Sequence, residues 1–152
     1  MFPLKILLRR KISLNSTGIG RCSEILPFFE KEFIKLKADN VHTKQEELIY
    51  ANRLFKIKDN LNIMYAVDKG KLHYIVKDET NIEIQYRFSL LRTIFLCFMA
   101  AVVVLILFNS FNHALISFCW LAGMNWFITV FRQSLMLKNL SIRLEKELNS
   151  KA

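Results

Sequence analysis

The chain has 152 residues, of which 53% are hydrophobic and 23% charged, and its formal net charge is +9. Residues 1–92 contain 17 Lys or Arg and 11 Asp or Glu, whereas no charged residue lies between Thr93 and Phe131. This segregation excludes a single evenly solvated globular domain, because so long an uncharged segment requires an apolar environment. Basic residues do not form a long block or alternate with aromatic ones, so nucleic acid is not expected as a partner.

The first part of the chain combines strand and helix patterns. Apolar residues alternate over residues 2–8 and predict an N-terminal strand. A helix is predicted from Ser23, as its N-cap, to about Lys37, because Phe33 and its apolar neighbours recur at helical spacing. Residues 43–53 are predicted as a second short helix, and the following Leu54–Lys58 stretch is left open as a strand.

Three runs with a period of two precede the uncharged segment. They cover residues 63–67, 72–76 and 82–88, are rich in β-branched and aromatic residues, and predict an antiparallel meander. Gly70 is expected to supply the positive φ of the first turn. The predicted fold class is therefore α+β: residues 1–88 form a small antiparallel-sheet domain with one or two helices.

The uncharged segment is too long for one membrane crossing. A helix of 39 residues would be about 58 Å long, whereas the hydrocarbon core of a bilayer is about 30 Å thick. Turn-forming residues at Asn109–His113 divide the segment. We expect residues 89–131 to form a transmembrane hairpin with spans at about 90–108 and 114–131 and an outer loop at 109–113. A buried hairpin in a soluble domain is the alternative, but it would show a polar stripe.

Basic residues flank both predicted spans and are absent from the loop between them. The positive-inside rule therefore predicts that both termini are cytoplasmic, in a bacterial inner or plasma membrane. The residues expected at the membrane interface are Arg87, Arg92, Trp126, Arg132 and Lys138.

Few features of the spans favour contacts between helices. Asn125 can hydrogen-bond across a helix interface, and Gly123 and Ala100 permit close packing. The absence of charge within the spans argues against a proton relay or an ion-coupled transporter.

Residues 132–152 predict a cytoplasmic amphipathic helix, which can continue the second span because no Gly or Pro intervenes. Its apolar stripe consists of Leu137, Leu140, Leu144 and Leu148. This stripe could pack on the N-terminal domain, lie on the membrane, or pair with a second copy.

No set of residues in the sequence predicts a catalytic, cofactor or metal site. His42 and Glu46 would share a helical face, but a zinc site needs further ligands. Ser16–Gly20 lacks the ending of a phosphate-binding loop. Cys22 lies near a predicted helix start, where the pKa of a thiol can be lowered, but no His is fixed beside it.

These patterns predict a non-enzymatic, two-span integral membrane protein that presents a small cytoplasmic domain at the membrane surface. Its expected partners are the lipid bilayer and either another protein or a second copy of the chain. One alternative is a small pore-forming or membrane-permeabilising oligomer. A further alternative is a membrane-tethered enzyme or ligand sensor.

Overall fold

The structure, a computed structural model, describes residues 5–15, 20–44, 46–52, 64, 67–78 and 80–150. Within these residues the strands are β1 (Lys5–Ser13), β2 (Asn40–Lys44), β3 (Glu47–Ala51), β4 (Lys69–Val76) and β5 (Asn81–Ser89). The helices are α1 (Ile25–Lys35), α2 (Leu91–Phe108) and α3 (Phe111–Ser150). The predicted α+β class with an antiparallel sheet is confirmed.

The five strands form one antiparallel sheet in the order β1-β5-β4-β3-β2. In the central strand β5, Ile82, Ile84, Tyr86 and Phe88 are at most 1% exposed. The residues between them point to the opposite face because successive side chains of a strand alternate. The predicted N-terminal strand is present as β1 from Lys5 onward, and residues 2–4 lie outside the described part of the chain.

The helix predicted at Thr43–Arg53 is wrong, because this part of the chain contributes to the hairpin β2–β3. Leu48 and Tyr50 are fully buried, whereas the residues between them face the other way, so the period is two instead of 3.6. Glu46, which was considered as a metal ligand, lies in the turn with a φ of 62°. The possible strand at 54–58 lies outside the described residues.

The predicted meander is correct for its last two strands, β4 and β5, which are paired. Its first strand is not observed: Val67 precedes β4 outside any strand, and Ile63 and Tyr65 lie outside the described residues. β3 instead occupies the other side of β4. Gly70 is a strand residue of β4 without the positive φ expected of a turn.

One face of the sheet is covered by α1 and by the C-terminal half of α3. Before α1, Ser23 lies within a 3-10 turn, Cys22–Glu24, and gives no side-chain cap to the helix. The core contains Phe29 and Phe33 of α1, and Leu140 and Leu144 of α3. The opposite face of the sheet, which we call the open face, has no described helix packed on it.

Both α2 and the first part of α3 are long and apolar enough to cross a membrane, by length and composition. Asn109 ends α2 in the left-handed conformation, with a φ of 47°. The helix α3 begins at Phe111, so the connection is shorter than the predicted loop 109–113. From there α3 continues for 40 residues without interruption.

Candidate functional site

The junction between the sheet and the long helix α3 is built by an apolar stripe. Leu137, Leu140, Leu144 and Leu148 recur at spacings of three and four, and each is at most 5% exposed. Of the arrangements considered for this stripe, packing on the N-terminal domain is the one observed. Each such buried leucine stabilises the contact by roughly 1.5–3 kcal/mol relative to exposure.

A buried polar chain links the same helix to the centre of the sheet. The hydroxyl groups of Tyr50 and Tyr86 hydrogen-bond to each other, and the Tyr86 hydroxyl donates to Oε1 of Gln133 over 3.1 Å. All three residues are fully buried. Burial raises the pKa of both phenols, so they stay neutral and act as hydrogen-bonding groups. Since a hydroxyl chain requires one helix rotation, it orients α3 against the sheet.

Glu32 ties α1 to α3 at the edge of the core. Its carboxylate accepts hydrogen bonds from Nζ of Lys35 over 2.6 Å and from Nη1 of Arg143 over 2.8 Å. Glu32 is 5% exposed, whereas the two cations reach solvent. The hydrogen bond from Lys35, followed by the contacts with Arg143, lowers the pKa of Glu32 against the opposing effect of burial.

Asp68 connects the sheet to the start of α2. Its carboxylate accepts a hydrogen bond from the backbone N–H of Arg92 over 2.9 Å, and Nε of Arg92 lies 3.8 Å from Oδ1. Leu90, at the N-cap position of the helix, makes no side-chain cap. Asp68 therefore acts as a cap supplied from a distant loop. Burial raises the pKa of Asp68, although the amide and charge of Arg92 oppose that shift.

The open face of the sheet is predominantly basic. A cleft of about 320 Å³ lies at the end of this face that leads into α2. The cations that line the cleft are Lys5, Lys69, Lys71 and Arg87, with Glu47 as the acidic residue. Nζ of Lys71 lies 2.8 Å from Oε2 of Glu47, and this hydrogen bond is the main reason that the pKa of Glu47 is lowered.

The predicted interface residues occupy different environments. Arg87 and Lys138 are exposed, and Arg132 is half-buried. Arg92 is buried beside Asp68, and Trp126 packs partly buried against the core. The structure therefore brings Arg87 into the basic cleft and Arg92 into the cap of α2, while their positions relative to a membrane stay predictions.

The contact between the two apolar helices consists largely of small residues. The side chains buried there include Cys97 and Ala101 of α2, and Ala114 and Ala122 of α3. The predicted packing residues Ala100 and Gly123 are half-buried beside this line. Asn125 donates to the carbonyl of Leu121 over 2.8 Å and approaches Sγ of Cys97 at 3.8 Å. The four-residue spacing of Cys97 and Ala101 is the sequence signal for this line of contact.

The sequence gave little indication of Asp68, Glu32, Lys5 or Lys69 as junction residues. Each lies in a turn or strand whose partners are far away along the chain, so spacing carries no information about the contact. A buried glutamate such as Glu32 looks like any exposed helical charge until α3 is placed beside it.

Two of the weaker sequence features change their meaning in the structure. Burial raises the pKa of the Cys22 thiol, which is the opposite of an activated nucleophile. The described residues contain no group of three or more His, Cys, Asp or Glu that could hold a metal ion. Of the possible phosphate loop, residues 16–19 lie outside the described part of the chain.

Comparison of the chain with models of protein families, with curated proteins and with solved structures gives no match. The junction itself defines the class of molecule: an α+β sheet domain joined by a continuous helix to two helices apolar and long enough to cross a membrane.

Proposed function

We propose that the chain is a two-span integral membrane protein, without enzymatic activity, that holds its sheet domain in a fixed orientation at the cytoplasmic membrane surface. There the domain binds another protein or a second copy of the chain. The observation that carries this proposal is the continuity of α3, whose first half exposes apolar side chains and whose second half lies in the core of the sheet domain.

The exposed surface of the two apolar helices supports membrane insertion. Only 17% of the most apolar 18-residue window of either helix is buried within the chain. The exposed side chains include Phe95, Ile106, Ile116, Trp120 and Phe127, each more than half exposed. A water-soluble protein rarely leaves a continuous apolar surface of this extent uncovered. At 1.5 Å per residue, α2 is about 27 Å long, close to the thickness of a hydrocarbon core.

Charge supports the proposed orientation. Basic residues lie before α2 and after the apolar half of α3, whereas the connection between the helices has none. The positive-inside rule then favours the cytoplasm for both termini and for the sheet domain.

The rigid junction supports a role in presentation. A flexible linker would let the domain rotate, but α3 passes from the apolar segment into the core without a break. Gln133 and Glu32 then fix its rotation and its distance from α1 through buried hydrogen bonds. The open face is consequently held at one angle to the apolar helices, which suits the binding of a partner near the membrane.

A pair of matched substitutions tests membrane insertion. Met99, in the middle of α2, and Ile34, on α1, are both exposed apolar residues, at 46% and 57%. In a soluble protein both would tolerate arginine. In the proposed protein, Met99→Arg costs about 2.5–3.5 kcal/mol of insertion free energy and reduces the carbonate-resistant membrane fraction, whereas Ile34→Arg does not. Equal behaviour of the two variants would contradict insertion.

Orientation and partner binding need two further measurements on native membranes. Protease added to the cytoplasmic side should digest the sheet domain, and protease added outside should leave it intact. A photoreactive residue in place of Ile75, which is on the open face away from the cleft, should give a discrete protein adduct. External digestion of the domain would refute the orientation, and absence of any protein adduct from the open face would refute presentation to a partner.

A further inference from the structure

The cleft on the open face has a register that concentrates positive charge. Lys5 and Lys69 are both paired with Ser89, on opposite sides of β5. Lys71 is paired with Arg87, one row further from α2. These four side chains therefore point from the same face of three adjacent strands, because directly paired residues share a face.

The cations in the cleft outnumber the acidic groups. Glu47 forms an ion pair with Lys71, whereas Lys5, Lys69 and Arg87 have no ion pair within 4 Å among the described residues. Four cations and one carboxylate leave a net charge of +3. Like charges that are directly opposite in a sheet, as Lys71 and Arg87 are, destabilise the pairing. A bound anion would remove this repulsion.

The position of the cleft relative to α2 indicates the source of the anion. Ser89 ends β5 and α2 begins two residues later, at Leu91. Asp68, adjacent to Lys69, accepts the hydrogen bond from the first turn of α2. If α2 enters the bilayer as proposed above, the Lys5–Ser89–Lys69 row lies at the level of the lipid headgroups.

We propose that this cleft binds the phosphate-bearing headgroup of an anionic phospholipid in the leaflet that faces the sheet; this inference rests on the proposed membrane insertion. The guanidinium of Arg87 can donate two parallel hydrogen bonds to phosphate oxygens, and the lysines act as point charges around them. The volume of about 320 Å³ accommodates such a headgroup. Lipid binding would fix the height of the domain above the membrane and leave the far end of the open face to a protein.

The test measures lipid bound to the full-length protein in a neutral detergent, by native mass spectrometry. The probes are dioctanoyl phosphatidylglycerol, dioctanoyl phosphatidylcholine and inorganic phosphate. The test variant is Lys69→Gln/Arg87→Gln. Its matched control is Lys11→Gln/Lys44→Gln, which removes the same charge from the same face outside the cleft.

The wild type and the control should retain phosphatidylglycerol in preference to phosphatidylcholine, and the test variant should bind it about thirtyfold more weakly, at roughly fivefold for each cation lost. Equal weakening in both variants would indicate unspecific attraction and overturn the proposal. So would binding of inorganic phosphate with no preference for the lipid. Because the assay uses soluble short-chain lipid, it can fail while the Met99→Arg experiment still supports membrane insertion.

Discussion

Gly70 offers the sharpest test of the packing within the sheet. A Cβ atom built on Gly70 would lie 2.5 Å from Cε1 and 2.7 Å from Cζ of Tyr50, its direct partner on β3. The Tyr50 ring cannot easily move away. It is fully buried, its centroid lies 5.3 Å from that of Phe33, and its hydroxyl is bonded to Tyr86. Gly70→Ala should therefore strain the core.

Two opposing terms set the size of the effect. The backbone of Gly70 does not have a positive φ, so alanine is conformationally allowed and would by itself stabilise the fold by about 0.4–1 kcal/mol. Overpacking a buried site costs about 1–3 kcal/mol. We expect overpacking to win, with a net loss of about 1–2 kcal/mol. For a chain of this size, this corresponds to a decrease in Tm of about 2–8 °C.

The assay is thermal unfolding of the full-length protein in detergent, followed by near-ultraviolet circular dichroism, which reports on the buried tyrosines. The same Gly70→Ala substitution in a Tyr50→Leu background is the control, because the shorter side chain removes the ring from the built Cβ. In that background the cost should largely vanish. A stabilising Gly70→Ala in the wild type, or the same cost in both backgrounds, would refute the close packing of Tyr50 over Gly70.

Three further substitutions test the junction. Glu32→Gln should lower stability by about 1 kcal/mol at pH 7, after allowance for the exposure of Arg143. Because the folded pKa of Glu32 is lowered, its stabilisation is present above its unfolded pKa and disappears as the pH falls through the folded value, so the difference in Tm between wild type and variant should shrink on acidification; a constant difference would exclude the charge as its cause. Leu144→Ala should cost about 2–5 kcal/mol and make the end of α3 sensitive to protease, whereas Ile142→Ala, 36% exposed, should change stability by less than about 0.5 kcal/mol; similar sensitivity of both would contradict the docking of α3. Asp68→Ala should destabilise the chain by about 1 kcal/mol in thermal unfolding, and Asp68→Asn, which keeps an acceptor for the start of α2, should recover most of that loss; equal losses would argue against the cap.

The features that could be predicted from the sequence are those set by local periodicity and solvent preference. The uncharged segment and the leucine stripe from Leu137 to Leu148 each repeat a pattern over several turns. Because that pattern has few alternative structures, helices apolar enough to cross a membrane and an amphipathic continuation could be derived from it. The partner of the stripe could not, since all three candidate surfaces are apolar.

The errors arose where a short segment depends on a distant partner. Residues 47–51 contain too few alternations to separate a strand from a helix until β4 pairs with them. Gly70 resembles a turn residue in the sequence, but the ring of Tyr50 across the sheet is what requires its lack of a side chain. The basic cleft is likewise invisible in the sequence, because its cations come from three strands that are brought together only by the sheet.

The central claim is that α3 is one helix that passes from lipid into the sheet domain. Spin labels placed singly at Ile116, Phe127, Ser134 and Lys146, with the native cysteines replaced, test it directly, since these four positions are all exposed on α3. In liposomes, the collision rates of the labels with oxygen and with a water-soluble nickel chelate are compared. Labels at Ile116 and Phe127 should meet oxygen and exclude nickel, and labels at Ser134 and Lys146 should show the reverse. Equal access of nickel to all four positions would contradict the account.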